Sequence, residues 1–300
     1  SKDIMSAKAC SAVAFAFPPG VFMTIIFFSF AKDTSILSMP APALPITFNF
    51  FDTLNILSKS MNINIKNIII TPNDHSFNER FPVIYLLHGA YGNYTDWTNK
   101  VNDLDRFCDN NNVIIVCPDG GYNSWYFNSP VDSSFKYETY ITNELIIYVD
   151  SIYPSLKSFK SRAITGLSMG GHGALYLAIK HPDIFGVAGS MSGAIDIRPF
   201  SKNWDISSRL GSIEEFPLNW NNNTVTNMVG LLKFSNLKII FDCGKDDFFF
   251  DVNNIFHQKL LDNNIEHIYN IKEGEHNWKY WNISIFEHLN YFSNFFNNTL

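Results

Sequence analysis

Short apolar runs alternate with longer amphipathic stretches from Phe51 to the end of the chain. The apolar runs are rich in Ile and Val at consecutive positions, which is typical of strands that helices cover on both faces. They predict strands at 52–57, 64–71, 82–87, 113–117, 162–166, 185–190, 237–242 and 267–271. The amphipathic stretches predict helices at 96–109, 138–152, 170–180, 251–263 and 280–297. This alternation indicates one α/β domain over 51–300, with a doubly wound, mostly parallel sheet and helices on both faces.

One stretch interrupts the alternation. Residues 192–235 separate two predicted strands and contain Phe200, Trp204 and Trp220 among polar residues. In sheets of this class, a segment that follows the carboxyl end of a strand lies near the edge where ligands bind. We therefore predict that this insertion forms a cap or a wall of a substrate site. The alternative is a surface excursion with no role in binding.

The most apolar part of the chain precedes the predicted domain. Residues 9–31 are mostly apolar and are interrupted by Pro18-Pro19-Gly20. The second half has the length of a secretory apolar segment, and Ser29 and Ala31 fit the small residues of a cleavage site. Residues 1–50 are interpreted as a signal peptide to about residue 31 and a linker, which predicts a secreted or periplasmic protein. The alternatives are an N-terminal anchor, or a cytoplasmic protein whose start is wrongly assigned.

Composition and charge exclude several classes of fold and partner. Of the 300 residues, 46% are hydrophobic and 17% are charged, which excludes a disordered chain. A net charge of -6 predicts no nucleic acid partner. The cysteines are too few and too scattered for a disulfide framework, and no CxxC pair indicates a metal site: Cys10, Cys108, Cys117 and Cys243.

The clearest candidate for chemistry is the segment Gly166-Leu167-Ser168-Met169-Gly170, between the predicted strand 162–166 and the predicted helix 170–180. Gly-x-Ser-x-Gly in this context is typical of a nucleophile elbow, a strained turn that exposes the serine Oγ. Glycine on either side of the serine lets the strand and the helix approach closely. Ser168 is thus the predicted nucleophile. The Met169 N–H, at the helix N-terminus, is a predicted donor to an oxyanion.

A second glycine-rich turn, His88-Gly89-Ala90-Tyr91-Gly92, follows the predicted strand 82–87. In enzymes with a nucleophile elbow, the loop at this point supplies the other oxyanion N–H. Ala90 is the predicted donor, with Tyr91 as the alternative. His88 precedes the serine in the chain and is expected to make a structural hydrogen bond.

The acid and the base are predicted from chain order. A serine nucleophile needs a base, and the base needs an acid to orient it; after an elbow the acid comes first and the histidine second. Asp246 and Asp247 follow the predicted strand 237–242, and His276 follows the predicted strand 267–271. Asp247 is the predicted acid, Asp246 its nearest rival, and His276 the predicted base. The remaining histidines are interpreted as structural or solvated: His75, His172, His181, His257, His267 and His288.

In this order the motifs resemble the esterase D-like branch of the α/β hydrolases, which includes S-formylglutathione hydrolases, feruloyl and acetyl-xylan esterases, tributyrin esterases and mycolyltransferases. The matching segments extend over about residues 52 to 295: Tyr85-Leu86-Leu87-His88-Gly89, Cys117-Pro118-Asp119-Gly120-Gly121, Asn123-Ser124-Trp125-Tyr126, 166–174, 242–248 and 274–278. The resemblance implies an α/β-hydrolase fold, a triad of Ser168, Asp247 and His276, and oxyanion donors at Met169 and Ala90. It favours Asp247 over Asp246, because the family's acid lies three residues after the strand-end glycine.

The expected function is hydrolysis of carboxylic esters through an acyl-enzyme, without a metal or organic cofactor. Short-chain acyl, acetyl or feruloyl esters are the expected substrates, as small molecules or linked to polysaccharide. The alternatives are an acyltransferase, a thioesterase of the S-formylglutathione hydrolase type and a non-catalytic binding module. Four aromatic residues near the predicted triad form either a substrate wall or packing that only supports the loops: Tyr91, Trp125, Tyr126 and Trp278.

Overall fold

Eight strands form one sheet in the computed structural model, which describes residues 51–73 and 78–300. They are β1 Phe51–Ser58, β2 Ile63–Ile70, β3 Val83–Leu87, β4 Ile114–Pro118, β5 Arg162–Gly166, β6 Val187–Met191, β7 Lys238–Gly244 and β8 Ile268–Lys272. Every predicted strand is confirmed, with ends displaced by at most two residues. The predicted leader and linker at 1–50, with Cys10, and also His75, lie outside the described residues.

The sheet is mostly parallel, as the sequence predicts. Its order is β1-β2-β4-β3-β5-β6-β7-β8. Pairing is parallel from β4 through β3 to β8, whereas β2 pairs antiparallel with both β1 and β4. Every residue of β3, β4, β5 and β6 is buried, because helices cover both faces there. The carboxyl ends of β3 and of β5 to β8 therefore meet at one edge of the sheet.

Ten α-helical segments lie in the described ranges. They are α1 Asp96–Lys100, α2 Leu104–Asn111, α3 Tyr137–Thr139, α4 Ile146–Ile152, α5 Met169–Lys180, α6 Ile206–Leu210, α7 Pro217–Asn222, α8 Val229–Leu232, α9 Phe250–Asp262 and α10 Trp278–Thr299. Helices α4, α5 and α9 pack on one face of the sheet, and α2 and α10 on the other. None of the helices in these ranges is long and apolar enough to cross a membrane.

Two of the predicted helices differ in detail. The prediction of one helix over 96–109 is wrong, because Asp103 has a φ of 64° and separates α1 from α2. A left-handed residue of this kind breaks the helical hydrogen-bond pattern. The predicted helix 138–152 is continuous, but a π-helical segment, Tyr140–Leu145, joins α3 to α4. The predicted helices 170–180, 251–263 and 280–297 are confirmed within two residues as α5, α9 and α10.

The insertion at 192–235 is part of the core. It carries α6, α7 and α8, and Ile206, Leu210 and Trp220 are buried in the same apolar cluster as α5. The Trp220 Nε1 donates to Gly211 O at 2.9 Å. These side chains attach the insertion to the core, and its role as a cap or substrate wall stays a prediction.

A buried polar network lies under the carboxyl edge of the sheet and joins β5, β7 and α10. Asp242 Oδ2 accepts hydrogen bonds from His288 Nε2 at 2.8 Å and from Ser284 Oγ. His288 Nδ1 accepts from Thr165 Oγ1 at 2.9 Å. All four side chains are inaccessible to solvent. His288 is therefore a structural histidine, as predicted.

A second buried carboxylate, on α3, contacts the end of α5. Glu138 Oε2 accepts hydrogen bonds from Tyr176 Oη and Lys180 Nζ, both at 2.8 Å, and Glu138 Oε1 accepts from His181 Nε2 at 3.0 Å. Burial alone would raise the pKa of Glu138, but the hydrogen bonds from His181 and Lys180 outweigh it and lower this pKa to about 2. The folded state therefore stabilises the charged carboxylate.

Replacing His288 with alanine should lower the free energy of unfolding by about 3–5 kcal/mol, because it leaves the Asp242 carboxylate without one of its buried donors. Chemical denaturation monitored by circular dichroism measures this change. Lys279→Ala, at an exposed position of the same helix, is the control and should stay within about 0.5 kcal/mol of the parent protein. A similarly small effect of H288A would contradict the structural role of the network.

Replacing Glu138 with glutamine should destabilise the protein at neutral pH and much less in acid. The folded-state pKa of about 2 lies below the ordinary value of 4.5, so the stabilisation by this group is complete above pH 4.5 and is lost as the pH falls towards 2. The difference in melting temperature between the parent and E138Q should shrink over that range. A difference that does not vary with pH would show that the Glu138 charge does not stabilise the fold.

Candidate active site

The turn between β5 and α5 holds Ser168 in an unusual backbone conformation. Its φ is 55° and its ψ is -117°, and a non-glycine residue in such a region costs roughly 1–3 kcal/mol. Ser168 N donates to Met191 O at 3.0 Å, and Gly170 N donates to Leu167 O at 2.7 Å. A Cβ atom on Gly170 would clash with the Leu87 carbonyl oxygen, so the second glycine of the motif is required by close packing against β3. The strand, turn and helix have the geometry that the motif predicts.

Three predicted site residues form one hydrogen-bonded chain. His276 Nε2 lies 2.9 Å from Ser168 Oγ, and His276 Nδ1 lies 2.8 Å from Asp247 Oδ2. Because the carboxylate can only accept, Nδ1 carries the proton and Nε2 is free to accept from the serine hydroxyl. The Asp247 side chain is fully buried, whereas the His276 side chain keeps 14% of its surface exposed. The imidazole can therefore exchange protons with a ligand.

The loops after β7 and β8 bring Asp247 and His276 together. Asp246 N donates to Gly274 O at 3.0 Å, and a Cβ atom on Gly244 would clash with that same carbonyl. Asp247 Oδ1 accepts from Phe249 N at 2.8 Å, which fixes the carboxylate. The Asp246 side chain is exposed. Of the two candidate acids, Asp247 is thus the one hydrogen-bonded to His276.

Two backbone amides beside Ser168 have no acceptor among the described residues. They are the N–H groups of Met169, which begins α5, and of Ala90, in the loop after β3. A Cβ atom on Gly89 would lie 2.7 Å from Leu167 Cδ1 and 3.4 Å from Ser168 Cβ, so this loop packs directly on the elbow. Tyr91 N donates to Tyr122 O at 2.8 Å, so the alternative donor is already engaged. Met169 and Ala90 therefore stay the predicted pair of oxyanion donors.

His88 and Tyr126 support the loop after β3. Gly120 N donates to His88 Nε2 at 2.7 Å, which puts the imidazole proton on Nδ1, where it donates to Gly89 O at 2.8 Å. Tyr126 Oη donates to His88 O at 3.0 Å. Both side chains are completely buried. His88 is therefore structural, as predicted.

The four residues of the predicted aromatic wall differ in their exposure to solvent. Trp125 is 1% exposed and Tyr126 is inaccessible, so for these two the prediction of a substrate wall is wrong and the alternative, support of the loops, holds. Trp125 packs on His172 and Trp204, and its Nε1 donates to Trp204 O at 3.1 Å. Tyr91 is 47% exposed, and Trp278 is half-buried. These two retain surface that a ligand can contact.

His172 lies beside the elbow on α5, as predicted. Its Nε2 donates to Asn223 O at 3.0 Å, in the insertion. Burial lowers its pKa to about 4, since the charged form would lose its hydration. His172 is therefore neutral at physiological pH and connects α5 to the insertion.

Sequence reasoning missed an aromatic pair at this site, which Phe248 and Trp204 form. Phe248 follows Asp247 in the chain, is 53% exposed, and has its ring centroid 4.3 Å from that of His276. Trp204, in the insertion, stacks on Phe248 at 5.7 Å with an interplanar angle of 20°. The run of three phenylalanines after the acid was the available signal for Phe248. Nothing in the sequence indicated that Trp204 would reach it.

Few side chains in the described part of the chain are suited to hold a metal. No group of three or more His, Cys, Asp or Glu residues there has a suitable arrangement.

The cysteine thiols of the described residues are poorly suited to act as nucleophiles. Cys108, Cys117 and Cys243 are free and buried, and burial raises the pKa of each thiol. Because the thiolate is the reactive form of cysteine, a raised pKa makes these thiols poor nucleophiles, and Ser168 remains the candidate nucleophile.

Comparison with known proteins identifies the family of the chain. The family model "Putative esterase" matches residues 58–292. An acetyl esterase of Caldicellulosiruptor saccharolyticus is 29% identical over 258 residues, which are 76% of this chain and 92% of the relative. The structure of a ferulic acid esterase has a TM-score of 0.70 and 26% identity, covering 83% of this chain and 100% of that chain.

A second solved structure supports the predicted fold. The fluorophosphonate-binding serine hydrolase F of Staphylococcus aureus has a TM-score of 0.72 and 22% identity, covering 81% of this chain and 98% of that chain. This likeness confirms the α/β-hydrolase fold. The family model, which matches more than half of the chain, shows that the chain belongs to the esterase family, as its resemblance to the esterase D-like branch implies, and is an ester hydrolase.

Proposed function

We propose that the chain hydrolyses carboxylic esters through an acyl-enzyme on Ser168. The observation that carries the proposal is the hydrogen-bonded chain from Asp247 through His276 to Ser168, with links of 2.8 and 2.9 Å. As Ser168 Oγ attacks the ester carbonyl, His276 Nε2 takes the serine proton. Asp247 holds the imidazole in the required tautomer and stabilises the imidazolium that forms.

The backbone amides of Met169 and Ala90 stabilise the negative charge on the carbonyl oxygen. Both lack another acceptor among the described residues, so they are available when the oxyanion forms. Dipoles that are already oriented stabilise the transition state without a reorganisation cost. The N-terminus of α5 adds a favourable partial positive charge at the same place.

Collapse of the tetrahedral intermediate breaks the bond between the carbonyl carbon and the alcohol oxygen. His276 donates its proton to that oxygen, and the alcohol leaves. Water then attacks the acyl-enzyme with His276 as the base, which regenerates Ser168 and releases the acid. The 14% exposure of the His276 side chain supports water as the acceptor. An acyltransferase would instead need an acceptor alcohol at the same position.

Short-chain acyl or feruloyl esters, including those linked to polysaccharide, are the proposed substrates. An acetyl esterase and a ferulic acid esterase among the relatives support this choice. The apolar stretch at 9–31 supports a secreted or periplasmic location, where such polymers are accessible. Hydrolysis of acetyl, butyryl and feruloyl esters, with S-formylglutathione in the same panel, would define the acyl group.

Replacing Ser168 with alanine should reduce the hydrolysis of p-nitrophenyl acetate roughly 10⁴-fold or more, since no acyl-enzyme can form. The rate is followed by the release of p-nitrophenol. Thermal unfolding of the variant checks that the fold is retained. If a folded S168A variant kept its activity, the nucleophile would lie elsewhere.

Replacing Asp247 with asparagine should reduce kcat about 10⁴-fold at neutral pH, because an amide at this position favours the wrong imidazole tautomer. Asp246→Asn is a matched control: it removes the same charge one position earlier, where the side chain is exposed. It should change kcat by less than about threefold. Equal losses in D247N and D246N would overturn the assignment of Asp247 as the acid.

A further inference from the structure

Three aromatic rings surround the His276 imidazole, and they differ in access to solvent. Phe248, Phe249 and Trp281 have ring centroids 4.3, 5.3 and 4.9 Å from that of His276. Phe249 is 1% exposed and Trp281 6%, whereas Phe248 is 53% exposed. Of these three rings, Phe248 is thus the one that offers a ligand a substantial apolar surface next to the base.

The position of His276 relates the exposed surface of Phe248 to the alcohol part of an ester substrate. In the mechanism above, His276 Nε2 must lie within about 3 Å of the alcohol oxygen when it donates the proton. Asp247 occupies the other nitrogen, Nδ1. The group attached to the alcohol oxygen therefore emerges beside the imidazole, where Phe248 is exposed. The acyl chain leaves the same carbonyl carbon in another direction.

Trp204 packs against the exposed ring of Phe248 and supports it. Trp204 stacks on it at 20°, and the carbonyl of Trp204 accepts a hydrogen bond from the buried Trp125 indole at 3.1 Å. Trp204 and Asp205 have φ values of 48° and 54°. Consecutive non-glycine residues in the left-handed region are strained, and such strain tends to concentrate at functional sites. The backbone strain is thus located where the insertion places Trp204 against Phe248.

Polar groups border the aromatic surface. Asn123 Nδ2 donates to Asp205 Oδ2 at 3.0 Å, next to Trp204 in the chain. Tyr91 lies on the same side, because its ring centroid is 4.5 Å from that of Tyr122, the residue before Asn123. Tyr91 is in the same loop as Ala90. An apolar ring surface bordered by a carboxylate, an amide and a phenol suits a flat, hydroxylated or aromatic ring.

We propose that Phe248, supported by Trp204, forms a leaving-group subsite that binds the ring of the departing alcohol. The ligand class is a ring-bearing alcohol, either a phenol or a pyranose, whose flat face stacks on Phe248. This inference rests on the proposed ester hydrolysis and assigns one side of its substrate. The subsite acts during acylation: the alcohol oxygen receives the His276 proton as its bond to the carbonyl carbon breaks, and the alcohol then leaves across Phe248.

The test uses esters that share the acetyl group and differ in the alcohol: ethyl acetate, phenyl acetate and a mono-acetylated methyl xylopyranoside. For each protein, the ratio of kcat/KM on a ring-bearing ester to kcat/KM on ethyl acetate is measured. In Phe248→Ala this ratio should fall about tenfold, because the stacking contact is lost. In Phe248→Leu, which keeps apolar volume beside His276 but removes the ring, the same kcat/KM ratio should also fall. A fall for phenyl acetate alone identifies a phenol site, and a fall for the xyloside alone identifies a sugar site.

Two comparisons make the result specific. Phe234→Ala removes an aromatic residue that is 94% exposed and precedes the amino end of β7, opposite the triad edge, and it should leave every ratio unchanged. The ratio of kcat/KM on ethyl ferulate to kcat/KM on ethyl acetate reports on binding of the acyl group. In F248A this ratio should not follow the fall in the ratios for the esters of ring-bearing alcohols. If F248A changes only the ferulate ratio, or changes no ratio, the leaving-group subsite is wrong. If the parent protein hydrolyses none of these esters, the proposed function itself fails, and that outcome is distinct.

Discussion

The backbone conformation of Ser168 is the constraint on which the rest of the site depends. A φ of 55° in a strand-to-helix turn is unfavourable in isolation. Close packing against the ends of β3 and β6 maintains it, through Leu87 O, which excludes a side chain at position 170, and Met191 O, which accepts from Ser168 N. Because β3, β5 and β6 are buried on both faces, this turn cannot relax without disrupting the centre of the sheet.

The parallel sheet then brings the other groups to the serine. The loops after β3, β7 and β8 lie at the same edge as the turn after β5, so the amide of Ala90 and the side chains of Asp247 and His276 converge there. Below this edge, the contacts of Asp242 with His288 and Ser284 connect β7 to α10. One carboxylate thus stabilises the sheet from inside, whereas Asp247, five positions later, orients a partly exposed imidazole.

The sequence predicted the features that depend on local patterns. Buried strands are continuous apolar runs, and the positions of Ser168, Asp247 and His276 follow from a short motif and a fixed chain order. It failed where burial depends on residues distant in the chain. Trp125 is flanked by polar and aromatic neighbours typical of a loop, yet His172 and Trp204 enclose it. The helix break at Asp103 was also missed. Asp103 has a left-handed φ, but no glycine at this position indicates such a conformation in the sequence.

The same limit explains why the aromatic surroundings of the site were the hardest part to predict. Among the described residues, eleven non-glycine positions have a positive φ, and seven of them lie in loops at or next to the site: Tyr91, Trp125, Tyr126, Ser168, Ser192, Trp204 and Asp205. Large aromatic residues rarely adopt this conformation, so propensity gives no indication of it. Here the contacts that bury the rings offset the strain, as in the hydrogen bond from Tyr126 to His88 O and the stacking of Trp204 on Phe248. In the proposed leaving-group subsite these contacts orient Trp204 against Phe248 before a ligand binds, and such preorganisation lowers the entropic cost of binding a flat ring.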